Sequence, residues 1–183
     1  MNESDIISAT RNWVETVVVG LNFCPFAKRE LAKGSVRFTV CEATNEAQLL
    51  QHLQHELQRL DDEPELETTL LIHPRALGDF LQYNDFLEEA NGLLAVLDME
   101  GVYQIASFHP HYQFAGTGQD DADNYTNRSP YPMLHLLREA SLEVAINHYP
   151  NVDDIPERNI ELTQKLGVQK MRALLASCLE NSS

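Results

Sequence analysis

The sequence predicts an α/β fold: a small parallel or mixed sheet of three to four strands flanked by helices, with a helical C-terminal part. Two observations carry this. Three short runs rich in β-branched and aromatic residues stand at 36–41, 68–72 and 102–108. Between them lie longer stretches whose apolar residues recur every three to four positions. Strands separated by helices return to one sheet through right-handed crossovers and bury it under helical layers. The 183 residues form a single domain, 1–183, within the ~100–200 residues usual for one.

The elements follow in order. Residues 4–21 place Ile7, Thr10, Val14, Val17, Val18 and Leu21 on one helical face, with Trp13 beside them. Val14–Val19 is β-branched enough to read alternatively as a fourth strand. Pro25 disfavours the α conformation at Cys24 and suits the first position of a short helix over 25–32, which Gly34 ends. The run VRFTVC is the first strand. Residues 46–60 carry Leu50, Leu53, Leu57 and Leu60 on one stripe, an amphipathic helix. An acidic turn leads to the second strand, TTLLI. Residues 79–97 set Phe80, Tyr83, Leu87, Ala90, Leu94 and Leu97 on one face before the third strand, VYQIASF.

Residues 109–128 have no period. Loops beyond ~12–15 residues are usually functional or disordered, and the aromatics Tyr112, Phe114 and Tyr125 argue for order. Ser129-Pro130 reads as a helix start, with Ser129 as N-cap, continuing through Met133, Leu134, Leu137, Ala140 and Val144 to about His148. Pro156 opens a final helical pair broken at Gly167.

Thirteen Lys and Arg against 28 Asp and Glu give a net charge of −15. That charge opposes nucleic acid and anionic membrane surfaces as partners. The polar start MNESDIISATRNW and the lack of any run of ~18 apolar residues predict neither a signal peptide nor a membrane span. Three scattered cysteines suit a reducing, cytoplasmic setting.

The chemistry-bearing residues gather at predicted strand ends: Glu42 after the first, His73 after the second, His109 and His111 after the third. In an open sheet the carboxyl ends of parallel strands border the ligand crevice. His73, His109 and Glu42 have the donor types of a zinc or iron site. Without a metal, His73, His109 and His111 would act as acid, base or hydrogen-bond donors, with Tyr112 orienting a substrate. The alternative is that each histidine is a buried hydrogen-bonding residue. No H-E-x-x-H or C-x-x-C is present.

Asn127, Arg128 and Ser129 precede the helix expected from Pro130, whose free N–H groups would join Arg128 in holding a phosphate or carboxylate. Alternatively Ser129 only caps that helix and Arg128 pairs with Asp120, Asp121 or Asp123. His135, one turn into the helix, would reach the same crevice. Cys24, at a helix start with Lys28 and Arg29 nearby, has the setting of a stabilised thiolate; alternatively it is a small buried side chain at a turn. Phe23-Cys24-Pro25-Phe26-Ala27 is similar to the active-site turn of omega-class glutathione transferases and glutaredoxins. That resemblance requires Val14–Val19 to be a strand, and Ala27 stands where a dithiol pair has its second cysteine.

Longer motifs span the chain: GLNFCPFA from Gly20, LIHP from Leu71, ASFHPHYQFAG from Ala106 and NYTNRSPYPMLHLLRE from Asn124. Together they resemble a bacterial family known as domain of unknown function 1415, to which no activity attaches. The residues support a small cytoplasmic enzyme with histidines at the strand ends, the 109–128 loop as a lid and a small anionic substrate. A non-catalytic small-ligand-binding or protein-interaction module is the alternative, and a thiol or glutathione-related protein using Cys24 a third.

Overall fold

A computed structural model describes residues 2–180. The helices are α1 (Glu3–Trp13), α2 (Ala27–Lys33), α3 (Glu46–Asp62), α4 (Phe80–Val96), α5 (Glu139–Asn147), α6 (Ile155–Leu166) and α7 (Val168–Glu180). The strands are β1 (Val36–Val40), β2 (Thr68–Ile72), β3 (Tyr103–Phe108) and β4 (Met133–Arg138). They form one mixed sheet in the order β1-β2-β4-β3. β1 and β2 are parallel, and β4 runs antiparallel to both β2 and β3. The fold is α/β with a helical C-terminal part.

Side chains alternate across the sheet. One face presents Leu71, Leu134, Leu136, Tyr103 and Ile105 to Leu49, Leu53 and Leu57 of α3 and Tyr83, Phe86 and Ala90 of α4. The other presents Leu70, Ile72, Met133 and Phe108 to Ile6, Trp13 and Val17 at the N-terminus and Met171 and Cys178 of α7.

The helix expected from Ser129 is instead β4, with α5 beginning only at Glu139. As an interior strand, β4 buries Met133 and Leu134 on opposite faces, as well as Leu136. A strand covered on both sides reads as an unbroken apolar run, which a helical stripe imitates. Nor is Ser129 an N-cap: its hydroxyl donates to the Tyr131 carbonyl at 2.7 Å.

Val14–Val19 is not a strand but a π-helical continuation of α1. Gly20 N–H bonds to the Glu15 carbonyl at 3.0 Å, and Phe23 N–H to that of Val18 at 2.8 Å. A methyl group at Gly20 would lie 2.9 Å from the Thr16 carbonyl carbon and closer still to its oxygen. The missing side chain lets the wide turn close. π turns occur frequently at functional sites, and this one carries Val14 and Val18 to the edge of a cavity.

Candidate functional site

The strand-end histidines do converge. β2 and β3 point the same way with β4 between them, so His73 and His109 leave the same edge on the α4 side of the sheet. Tyr83 of α4 sits between them, its ring 5.8 Å from that of His73 and 5.1 Å from that of His109.

Both imidazoles are fully buried and engaged by local backbone. The His111 N–H donates to Nδ1 of His109 at 3.0 Å, so the ring proton sits on Nε2, 3.1 Å from the Leu77 carbonyl. Both nitrogens are thereby used. His73 donates from Nδ1 to the Ala76 carbonyl at 3.1 Å, leaving Nε2 buried without a partner. Burial pushes His73 down to about 4, with the neighbouring His109 adding to the effect. Burial lowers His109 in the same way. His111 is exposed, and Tyr112 packs on Phe80 at 5.1 Å. Glu42 does not join this group: it is exposed and pairs with Arg75 at 2.8 Å. Among the described residues no three His, Cys, Asp or Glu side chains are placed to hold a metal ion, so the zinc or iron set does not assemble.

The 109–128 loop is internally bonded rather than a free lid. Asn124, fully buried, accepts from Phe114 N–H at 3.0 Å and Thr117 Oγ1 at 2.8 Å, and donates to the Gly118 carbonyl at 2.8 Å. Arg128 is a buried staple. Its Nε donates to the Tyr112 carbonyl at 3.1 Å, a terminal nitrogen to the Gln119 carbonyl at 2.7 Å, and its guanidinium lies 4.6 Å from the Tyr125 ring centre. Asn127 holds the end of β3 by donating to the Ser107 carbonyl at 3.0 Å. With no helix N-terminus beside them, Asn127, Arg128 and Ser129 form no anion cradle.

A cavity lies on the opposite face of the sheet. It encloses about 740 Å³, within the ~300–1,000 Å³ usual for ligand pockets. Its floor is the sheet: Leu70 of β2, His135 of β4, Ala106 and Phe108 of β3. The walls are Trp13, Val14 and Val18 on one side and α2 on another. Leu142, Val144 and Ala145 of α5 face them. An edge contact of 5.6 Å between Phe26 and Tyr149 joins the α2 side to the end of α5. α5 contributes no buried residue, and its Val144 is 58% exposed. Cys24 lies half-buried on the wall, just ahead of α2. The strand that a glutathione-transferase or glutaredoxin turn needs before it is the π segment instead.

His135 is the polar centre of the floor. It stands between Leu70 and Ala106 in the sheet register, where the small Ala106 leaves it space. Thr68 fixes its proton. The Thr68 hydroxyl has one hydrogen, given to the Leu136 carbonyl at 2.6 Å. It must therefore accept from His135 Nε2, 2.7 Å away. Nδ1 is left as a lone-pair acceptor, with no partner among the described residues. Burial pushes His135 down to about 4, so the ring is neutral near pH 7. Trp13 stands 5.2 Å from Phe108, and Phe108 6.0 Å from His135, in one aromatic row. The Trp13 Nε1–H also has no partner. His135 was expected on a helix beside His73 and His109; it lies on β4, across the sheet from them. An HLL pattern inside MLHLLR was its only signal, legible once the segment is read as a strand.

Over residues 5–173 the chain matches the family described as protein of unknown function (DUF1415). The chain belongs to the DUF1415 family. No curated protein and no solved structure matches it. No described helix of this DUF1415 protein is long and apolar enough to cross a membrane.

Proposed function

We propose that this DUF1415 protein binds a small, largely apolar molecule in the cavity between the sheet and the layer formed by α1, the π segment, α2 and α5. The observation that carries the reading is a ligand-sized cavity with an unpartnered imidazole nitrogen, His135 Nδ1, on its floor. Apolar walls supply binding through burial, and a few placed polar groups supply orientation. Binding is favoured over acid-base catalysis at His135. An efficient base has a pKa near the working pH, and an imidazole held near 4 is a weak one.

Trp13 is the single tryptophan of the chain and stands in the cavity wall, so its fluorescence reports occupancy. Titration with the uncharged dye 6-propionyl-2-(dimethylamino)naphthalene should quench Trp13 emission and saturate at one dye per chain. Ala106→Phe, which fills the floor, should abolish the effect while the circular dichroism spectrum stays native. Quenching that persists in that variant, or fails to saturate, places the dye elsewhere and overturns the reading.

A further inference from the structure

The polar groups of the cavity restrict what it can hold. Three cations line it, and each already has a partner. Arg29 and Lys33 share the one carboxylate of Glu30, at 3.3 and 3.0 Å, with side chains 75% and 48% exposed to solvent at the rim. Arg138 donates to the Leu66 and Glu63 carbonyls at 2.9 and 3.2 Å and to the Tyr103 hydroxyl at 3.1 Å. Glu67 adds a further negative charge to the lining. An anion on the floor beside His135 would therefore lose its hydration and have to draw a cation away from its present partner, a large penalty in an apolar site. The floor offers His135 Nδ1, a neutral acceptor whose role is set by the Thr68 hydroxyl. A neutral acceptor is matched by a neutral donor, and an occupant that covers this nitrogen without supplying one strips it of solvent for no bond in return.

Resting on the cavity reading, we infer that the ligand is an uncharged, mostly apolar molecule carrying a hydroxyl or ring N–H that donates to Nδ1 of His135, such as a phenol, an alcohol or an indole. Its apolar body lies along the row of Trp13, Phe108 and His135.

Three probes of one skeleton test this: 2-naphthol, 2-methoxynaphthalene and 2-naphthoate, measured by equilibrium dialysis at neutral pH. The naphthol should bind about tenfold tighter than its methyl ether, the worth of one neutral hydrogen bond, and the naphthoate weakest of the three. In His135→Phe the advantage of naphthol over the ether should vanish while the ether still binds. Thr68→Val provides the second variant should the first not fold; with either ring nitrogen free to hold the proton, the advantage should shrink. Equal binding of naphthol and ether, or tightest binding of naphthoate, overturns the inference and leaves the cavity reading intact. Entry of the fluorescent dye with none of the three probes binding does the same. Failure of both dye and probes overturns the two together.

Discussion

The Thr68 hydroxyl and the His135 imidazole meet at 2.7 Å across two neighbouring strands, and the same hydroxyl closes on the Leu136 carbonyl at 2.6 Å. One side chain on β2 thus sets which nitrogen of a β4 histidine carries the proton. Thr68→Val keeps the shape and removes both bonds. It takes one bond from the Leu136 carbonyl and one from the His135 N–H, so we expect a loss of about 1–3 kcal/mol in urea unfolding. In nitrogen NMR, wild-type His135 should appear as the Nε2–H tautomer near pH 7, and the variant should lose that single assignment. A mixed-tautomer signal in the wild type would refute the lock.

Stability should fall steeply with mild acid. His73 and His135 are held near 4 in the fold against an ordinary value of 6.5. Between those limits the unfolded chain binds more protons than the native one, so stability rises with pH. The penalty is absent above pH 6.5, grows as pH falls towards 4, and is constant below. Each histidine contributes at most about 1.4 kcal/mol per pH unit. His73, wholly buried, gives the larger share, about 3 kcal/mol over the window; His135 gives less because its ring borders the cavity. Urea midpoints from pH 7.5 to 4.5 check the slope, and His73→Gln should flatten it.

Gly20→Ala tests the π segment. The added methyl meets the Thr16 carbonyl, and overpacking of this kind typically costs about 1–3 kcal/mol. The melting temperature should drop by several degrees. Trp13 emission should shift as the wall it belongs to is displaced. An unchanged melting temperature would mean that the wide turn tolerates a side chain.

Arg128→Ala should loosen the loop rather than abolish anion binding. Two carbonyls and the Tyr125 ring lose their partner, so limited proteolysis should cut within 113–121 in the variant and not in the wild type. Arg128→Lys should fail to restore resistance, because an ammonium cannot span both carbonyls in a fixed fork. Phosphate should leave both melting temperatures unchanged; selective stabilisation of the wild type would return Arg128 to a ligand role.

Much of the fold is legible along the chain because the hydrophobic period states it. Leu50, Leu53 and Leu57 mark α3, and TTLLI marks β2. The strand-end convergence was legible too, since chain direction alone puts His73 and His109 at one edge. What it could not reveal is that the His111 N–H and the Leu77 and Ala76 carbonyls occupy these rings, a matter of loop geometry. The segment after Ser129 misleads for a different reason. Pro130 and Ser129 are common at helix starts, but tertiary burial on both faces decides β4. With that strand misread, His135 was set beside the wrong neighbours, and the cavity, built from four separate stretches of chain, had no local signature.

The position of β4 sets the order in which this protein can be made. Among the described residues it is the last strand, and it sits inside the sheet, bonded along both edges. Before Arg138 has emerged from the ribosome, β1 and β2 can pair through the short α3 crossover, but β3 has no hydrogen-bonding partner. Nascent chains ending short of that point expose one open edge of β2 and two of β3, the kind of edge that recruits other chains. Synthesis should therefore yield a complete sheet only once Arg138 has emerged. A pause or truncation just upstream of Met133 should favour aggregation far more than one placed after Arg138.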